Sequence, residues 1–256
     1  MYDLKDKIVL ITGASAGIGK ACAYEFAKAG AKLILISRRV EKLNEFTPDL
    51  KKLSSNDILN IKLDVRKKDD VEKVISELPE SFRQIDILLN NAGLARGLSK
   101  IHEGKIEDWE EMIDTNVKGL LYMTRNVAPL MTKLGSGHII NIGSIAGHEV
   151  YPMGNVYCAT KFAVDALTKS MRTDLLDKNI RVTTVDPGMV KTDFSIVRFA
   201  GDADRAKKVY EGVKPLTPED IADSVLYCAT RPPHVNINEL IIMPTIQAST
   251  SHIIRE

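Results

Sequence analysis

Short, β-branched apolar runs alternate along this chain with longer stretches whose apolar positions recur every three or four residues. KIVLITG (7–13) predicts a buried strand, GIGKACAYEFAKAG (17–30) a helix closed by Gly30, and KLILIS (32–37) a second strand. A helix from about Val40 follows, which Pro48 is expected to kink or split. The pattern continues with strand ILNIKLDV (58–65), helix DDVEKVISEL (69–78) and strand DILLNNAG (86–93). A long helix spans roughly Glu107 to Lys133, followed by strand GHIINIGS (137–144). A helix from Val156 to about Asp177 then leads to strand IRVTTVDPG (180–188). Residues 189–216 are looser, and TPED opens another helix, with Thr217 as N-cap, Pro218 at N1 and acids in the first turn. A last strand lies near ELIIM (239–243). No internal repeat, low-complexity tract or linker interrupts the series. Such regular alternation predicts an α/β, doubly wound fold: one parallel sheet with helices on both faces and ligands at the carboxyl ends of the strands.

Composition narrows the class without changing it. At 256 residues, with 44% hydrophobic and 27% charged residues, the chain suits one α/β domain or at most two small ones. A net charge of +1 gives no electrostatic reason to invoke nucleic acid or an anionic membrane. No apolar run approaches a bilayer span, and MYDLKDK is too charged and short for a secretory signal. Cys22, Cys158 and Cys228 are odd in number, far apart and form no CxxC, which favours a reducing cytoplasm and no structural metal. Cys158 reads as a small packing residue.

The chemistry concentrates between Asn141 and Lys161. In this stretch Ser144 precedes Tyr157 by thirteen residues, and Lys161 follows Tyr157 by four. On a helix, Tyr157 and Lys161 share a face one turn apart. A tyrosine loses its proton near pH 10, and lowering that by about three units takes roughly 4 kcal/mol. An ammonium about 4 Å away supplies energy of that order at an effective dielectric near 20. The spacing therefore predicts a tyrosine acid/base, with Ser144 placed to hydrogen-bond a substrate oxygen. Taken alone, the same pattern also describes an ordinary helix with a surface lysine.

The first strand-to-helix turn, Thr12 to Gly19, is a TGxxxGxG pattern that includes Ser15 and Ile18. Glycine at 13, 17 and 19 permits a tight turn and close backbone approach, and the helix N-terminus offers free amides to a diphosphate. The turn is therefore read as a dinucleotide cradle. After the second strand a carboxylate would bind a free ribose hydroxyl, but here Ser37-Arg38-Arg39 stands instead. Guanidinium groups match a 2′-phosphate, so the expected dinucleotide is NADP, although both arginines also suit a solvated helix start. Asp64-Val65 ends the third strand, where the carboxylate either meets an adenine amine or faces water. Asn90-Asn91-Ala92-Gly93 either lines a flat cofactor or makes a turn. Asn116 is a poor helix-interior residue, tolerated at a surface or needed for its amide. Pro187-Gly188, with Val190 and Thr192 beyond, is either a cofactor wall or a loop terminator.

Taken together, TGASAGIG, NNAG, Asn116, Ser144, YCATK and PGMVKT resemble the short-chain dehydrogenase/reductase family over nearly the full length. The resemblance implies a Rossmann fold of seven parallel strands in the order 3-2-1-4-5-6-7. It implies Tyr157 as acid/base, Lys161 for the proton affinity of Tyr157 and for the nicotinamide ribose, and Ser144 for the substrate oxygen. Asn116 would hold a relay water, and Pro187, Gly188, Val190 and Thr192 the carboxamide end. Asn155-Val156-Tyr157, the segment Phe194 to Asp202, and Val235 to Thr245 are similar to an NADP-dependent 3-hydroxy acid dehydrogenase subgroup. That subgroup acts on serine, allo-threonine and 3-hydroxyisobutyrate. The implied enzyme is a cytoplasmic homotetramer joined through the two long helices, with no nucleic-acid or membrane partner. A carbonyl or 3-oxoacyl reductase of the same family, and a non-catalytic NADP-binding regulator, are the alternatives. For the acid substrate, Arg198 in the 189–216 loop is the first candidate cation and Arg96 the second, while Arg198 could instead pair with Asp202.

Overall fold

The computed structural model describes residues 3–54 and 56–255. Seven parallel strands form one sheet in the order β3-β2-β1-β4-β5-β6-β7. They are β1 Ile8–Thr12, β2 Lys32–Ser37, β3 Ile58–Lys62, β4 Ile85–Asn90, β5 Gly137–Ile142, β6 Ile180–Pro187 and β7 Glu239–Ile242. The first reversal of order falls between β1 and β4, which opens a crevice at their carboxyl ends. β1 is buried along its whole length, which is why Ile8 to Ile11 are all apolar instead of alternating.

Side-chain alternation along the strands divides the core into two layers. Val9, Ile11, Leu33 and Leu35 pack on one face with Phe26 of helix α1 (Gly17–Lys28) and Val225 of α9 (Pro218–Ala229). Leu10, Ile34, Ile36 and Leu88 pack on the other face. Their partners there are Val71 of α3 (Lys68–Ser76), Val127 of α5 (Leu120–Leu134) and Val164 of α6 (Asn155–Asp174). The expected cap on α9 is present in full: Thr217 accepts from the Asp220 amide, and Asp220 returns the bond to the Thr217 amide.

The structure corrects the sequence reading at four places. Pro48 neither splits nor ends α2 (Val40–Leu53). It lies on the exposed side, while Leu43, Phe46 and Leu50 anchor the opposite side. The long helix runs as α4 (Ile106–Ile113), a π-helical turn (Asp114–Gly119) and α5. The third strand stops at Lys62, so Asp64 and Val65 lie in the loop beyond it. The loop at 189–216 contains two short helices, α7 (Phe194–Arg198) and α8 (Ala203–Lys208).

Candidate active site

A cleft of about 440 Å³ opens at the carboxyl ends of the strands. The turn after β1 forms its floor. Gly13 takes φ +65° and lies so near β4 that a Cβ there would come 2.9 Å from the Ala92 Cα. Asn91 pins this turn, its Nδ2 donating to the carbonyls of Thr12 at 2.9 Å and Gly13 at 3.2 Å. Gly13, Ser15, Gly17 and Ile18 line the cleft, as do Asn91, Ala92 and Gly93. Gly19 does not line it: a Cβ there would fall 2.6 Å from the Gly13 carbonyl oxygen, so this glycine lets α1 close onto the turn. The N-terminus of α1 has no side-chain cap and no acid in its first turn, so its amides remain available to an anion.

At one end of the cleft Arg38 and Arg39 stand beside Asp64 and Val65. Arg39 donates to Ser15 Oγ at 3.3 Å, and Ser15 also accepts from Ser37 at 2.8 Å. Burial pushes the Asp64 pKa up, but the Arg66 guanidinium and amide, with Arg38 farther off, outweigh it and hold the carboxyl below its ordinary range. Asp64 is therefore ion-paired and is not a free acceptor beside an adenine; Arg66 binds it at 2.6 Å. Behind this pair sits Glu111 of α4, with three arginines around one carboxylate. Arg96 lies at 2.6 Å, Arg66 at 3.4 Å and Arg38 at 3.8 Å. The hydrogen bond from Arg96 outweighs burial and, with the charges of Arg96, Arg66 and Arg38, holds Glu111 below the usual carboxylate range.

Ser144, Tyr157 and Lys161 meet at the other end. Ser144 follows β5 and accepts from the Ala146 amide at 3.1 Å. Lys161 is buried and donates to the Ile142 carbonyl at 2.9 Å, and burial brings its pKa down to about 8 against the pull of Asp186. Its Nζ lies 5.9 Å from the centre of the Tyr157 ring. The expectation of a phenol lowered by an adjacent ammonium is not met in this arrangement. Burial, then Tyr151, raises Tyr157, while Arg198 and hydrogen bonding to Ser144 act in the lowering direction. Asn116 sits one layer back, in the π-helical turn. Its Oδ1 accepts from the Leu94 amide at 2.8 Å. Its Nδ2 donates to the Leu94 carbonyl at 2.8 Å and to Thr160 at 3.0 Å. Those bonds tie the π-helical turn to the loop after β4.

The far wall consists of Pro187, Gly188, Val190 and Thr192 with the loop beyond them. Arg198, at the end of α7, lies 5.1 Å from the ring centre of Tyr157, 5.3 Å from Phe194 and 5.7 Å from Tyr151. It also hydrogen-bonds the Tyr151 hydroxyl. Asp202 is not its partner, because that carboxylate caps α8 through the Arg205 amide at 2.9 Å. Arg96 donates through Nε to Glu111 and through Nη1 to the Val197 carbonyl at 2.7 Å.

Residues 7–202 match the family model described as short chain dehydrogenase. The chain belongs to the short-chain dehydrogenase family. It is 49% identical over 242 residues to the NADP-dependent 3-hydroxy acid dehydrogenase YdfG of Salmonella typhi, covering 94% of this chain and 96% of that one. It is 45% identical over 257 residues to the NADP-dependent 3-hydroxy acid dehydrogenase of Schizosaccharomyces pombe, covering 100% and 99%. A solved closed form of serine dehydrogenase complexed with NADP+ superposes with TM-score 0.91 at 46% identity, covering 97% of this chain and 99% of that one.

Several residues of this short-chain dehydrogenase escaped the sequence reading. Glu111, Tyr151 and Asp186 carry no motif, and each acquires its role from a neighbour distant in the chain. Among the described residues, His148, Asp186 and Glu239 could bring ligand atoms within 4.8 Å of one another. One ring nitrogen of His148 faces each carboxylate, at 3.2 Å and 3.7 Å, the geometry of a paired imidazole and not of three ligands turned to one ion. No described helix is long and apolar enough to cross a membrane.

Proposed function

We propose that this short-chain dehydrogenase is NADP-dependent and moves a hydride between nicotinamide and the 3-carbon of a small 3-hydroxy acid. Serine, allo-threonine and 3-hydroxyisobutyrate are the expected substrates. The observation that carries the acid specificity is Arg198, a cation among three aromatic rings directly over Tyr157. Its buried Nε has no hydrogen-bond partner among the described residues, a donor that a carboxylate two carbons from the reacting centre would satisfy. A planar guanidinium suits bidentate carboxylate binding, and Tyr151 orients it.

The residues fit the cofactor. The uncapped N-terminus of α1 receives the diphosphate, Arg38 and Arg39 the 2′-phosphate, and Lys161 the nicotinamide ribose. Bound NADP supplies the hydride acceptor or donor at the nicotinamide ring. Tyr157 takes the hydroxyl proton during oxidation and returns it during reduction. Ser144 donates to the same substrate oxygen and to the partial negative charge that builds there. Lys161 contributes positive charge behind the phenol and would hold the nicotinamide ribose. Asn116 keeps the π-helical turn and the loop after β4 in register and would hold a relay water. Residues 189–216 close over the acid and exclude water with Phe194, Val197 and Phe199.

Ile113 of α4, Leu121 of α5 and Phe162 of α6 are exposed apolar side chains on the long helices. Covering them is what a homotetramer joined through these helices would do. Light scattering of the purified protein tests that assembly. For the reaction, a panel of 3-hydroxy acids and uncharged alcohols with NADP, followed by NADPH absorbance, is the test. Preference for the uncharged alcohols would discard the hydroxy-acid reading, and no turnover with any compound would leave a regulator.

A further inference from the structure

Behind Ser144 lies a carboxylate to which the hydride-transfer scheme gives no part. Asp186, next to last in β6, is 1% exposed. Its Oδ1 accepts from the Ser144 amide at 3.1 Å and from Thr184 Oγ1 at 2.8 Å. The carboxylate presses so closely on the chain that a Cβ at Gly143 would lie 1.8 Å from it, so glycine is required just before Ser144. Its Oδ2 has no hydrogen-bond partner among the described residues and faces His148 Nε2 at 3.2 Å. The second nitrogen of His148 faces Glu239 at 3.7 Å. Glu239 lies 4.0 Å from Lys169, which Asp165 holds at 2.7 Å. A line of ionisable groups thus runs from the surface to the back of the site, where Lys161 is bonded to Ile142, the residue before Gly143.

We propose that Asp186 is a positioning residue that keeps Lys161 in its ammonium form and anchors the backbone of Ser144, and that His148 keeps Asp186 ionised. The inference rests on the Tyr157–Lys161 reading above. A buried ammonium whose partner is a carbonyl tends to lose its proton, because desolvation penalises the charge. Burial brings Lys161 down to about 8, and Asp186 is the charge that opposes it. Asp186 is itself pushed up by burial; Thr184 and His148 pull it back, while Glu239 adds to the rise. The groups facing Asp186 are therefore Thr184, the Ser144 amide, His148 and Glu239. His148 sees the two carboxylates, and Lys161 sees Asp186, the Ile142 carbonyl and the Tyr157 ring. Sequestered behind the serine, Asp186 touches no substrate and acts through Lys161 and Ser144.

The test is the pH profile of kcat/KM for hydroxy-acid oxidation in the parent, Asp186→Asn and His148→Gln enzymes. Asparagine keeps an acceptor for the Ser144 amide and removes only the charge. The expected result is an alkaline limb displaced to lower pH by on the order of one unit in Asp186→Asn, with kcat at the acid end nearly retained. His148→Gln should move the limb the same way by less. A superimposable limb in Asp186→Asn overturns the proposal, and so does a uniform loss at every pH, which marks a purely structural residue. Where Asp186→Asn fails to bind NADPH, His148→Gln decides: a displaced limb supports the role and an unmoved one overturns it. Tyr157→Phe is run in parallel, because full turnover there would sink the Tyr157–Lys161 reading itself and separate that failure from this one.

Discussion

Arg198 holds its guanidinium 5.1 Å from the ring centre of Tyr157, so α7 ends directly over the phenol assigned to proton transfer. The Arg198 charge acts to lower the phenol's proton affinity, against the rise that burial imposes, and in the proposed reading the same cation would receive the substrate carboxylate. Phe194 packs edge-on to the same phenol ring at 5.5 Å, so the position of the loop and that of the tyrosine depend on each other.

Arg198→Ala should raise KM for serine or 3-hydroxyisobutyrate about 10–150-fold, the effect of losing a charge-assisted bond worth roughly 1.5–3 kcal/mol. Reduction of an uncharged ketone should be nearly unchanged. Steady-state kinetics on both substrates decide, and equal losses would make the arginine structural.

Tyr157→Phe removes the proton carrier and leaves the cleft's shape. Turnover should fall by about 10²–10⁴-fold. NADPH binding, read from its fluorescence, should persist. Substantial activity in the folded variant would end the tyrosine mechanism.

Arg38 is half exposed and only 3.8 Å from Glu111, a weak pairing that a 2′-phosphate can displace. NADP should therefore be strongly preferred over NAD, and Arg38→Asp should erode or reverse the preference by about 10–150-fold in kcat/KM. Equal efficiency with the two cofactors in the parent enzyme refutes this assignment.

Glu111 ties Arg96, and through it the Val197 carbonyl, to α4. Its folded-state pKa lies below the unfolded one, so the stability it contributes is present above the unfolded value of about 4.3 and is lost as pH falls through the folded value. Glu111→Gln should cost about 1–2 kcal/mol at neutral pH. The difference in Tm from the parent should shrink in acid. A gap that stays constant into the acid range would assign the loss to packing.

Much of this molecule was legible in the sequence because burial repeats with the period of each element. The apolar run of β1, the helix faces with apolar residues every three or four positions and the Thr217 cap each report a local environment that neighbouring residues share. The glycine turn was legible for a related reason: Gly13 sits at positive φ against Ala92, where a side chain would clash. Tyr157 and Lys161 were placed on one helix face by spacing alone, and they do line one cleft. Tertiary packing decided what period and spacing do not encode. Glu111 gathers arginines from three other segments, and Arg96 reaches a carbonyl 101 residues away. Pro48 is harmless because it faces water, and only packing sets that. Helical spacing put Lys161 and Tyr157 on one face, and packing added a bond from Lys161 to the Ile142 carbonyl with its Nζ 5.9 Å from the ring centre. Sequence sets which side chains share a face; the competition between a buried charge and its nearest acceptor is settled only once β5, β6 and α6 have packed together.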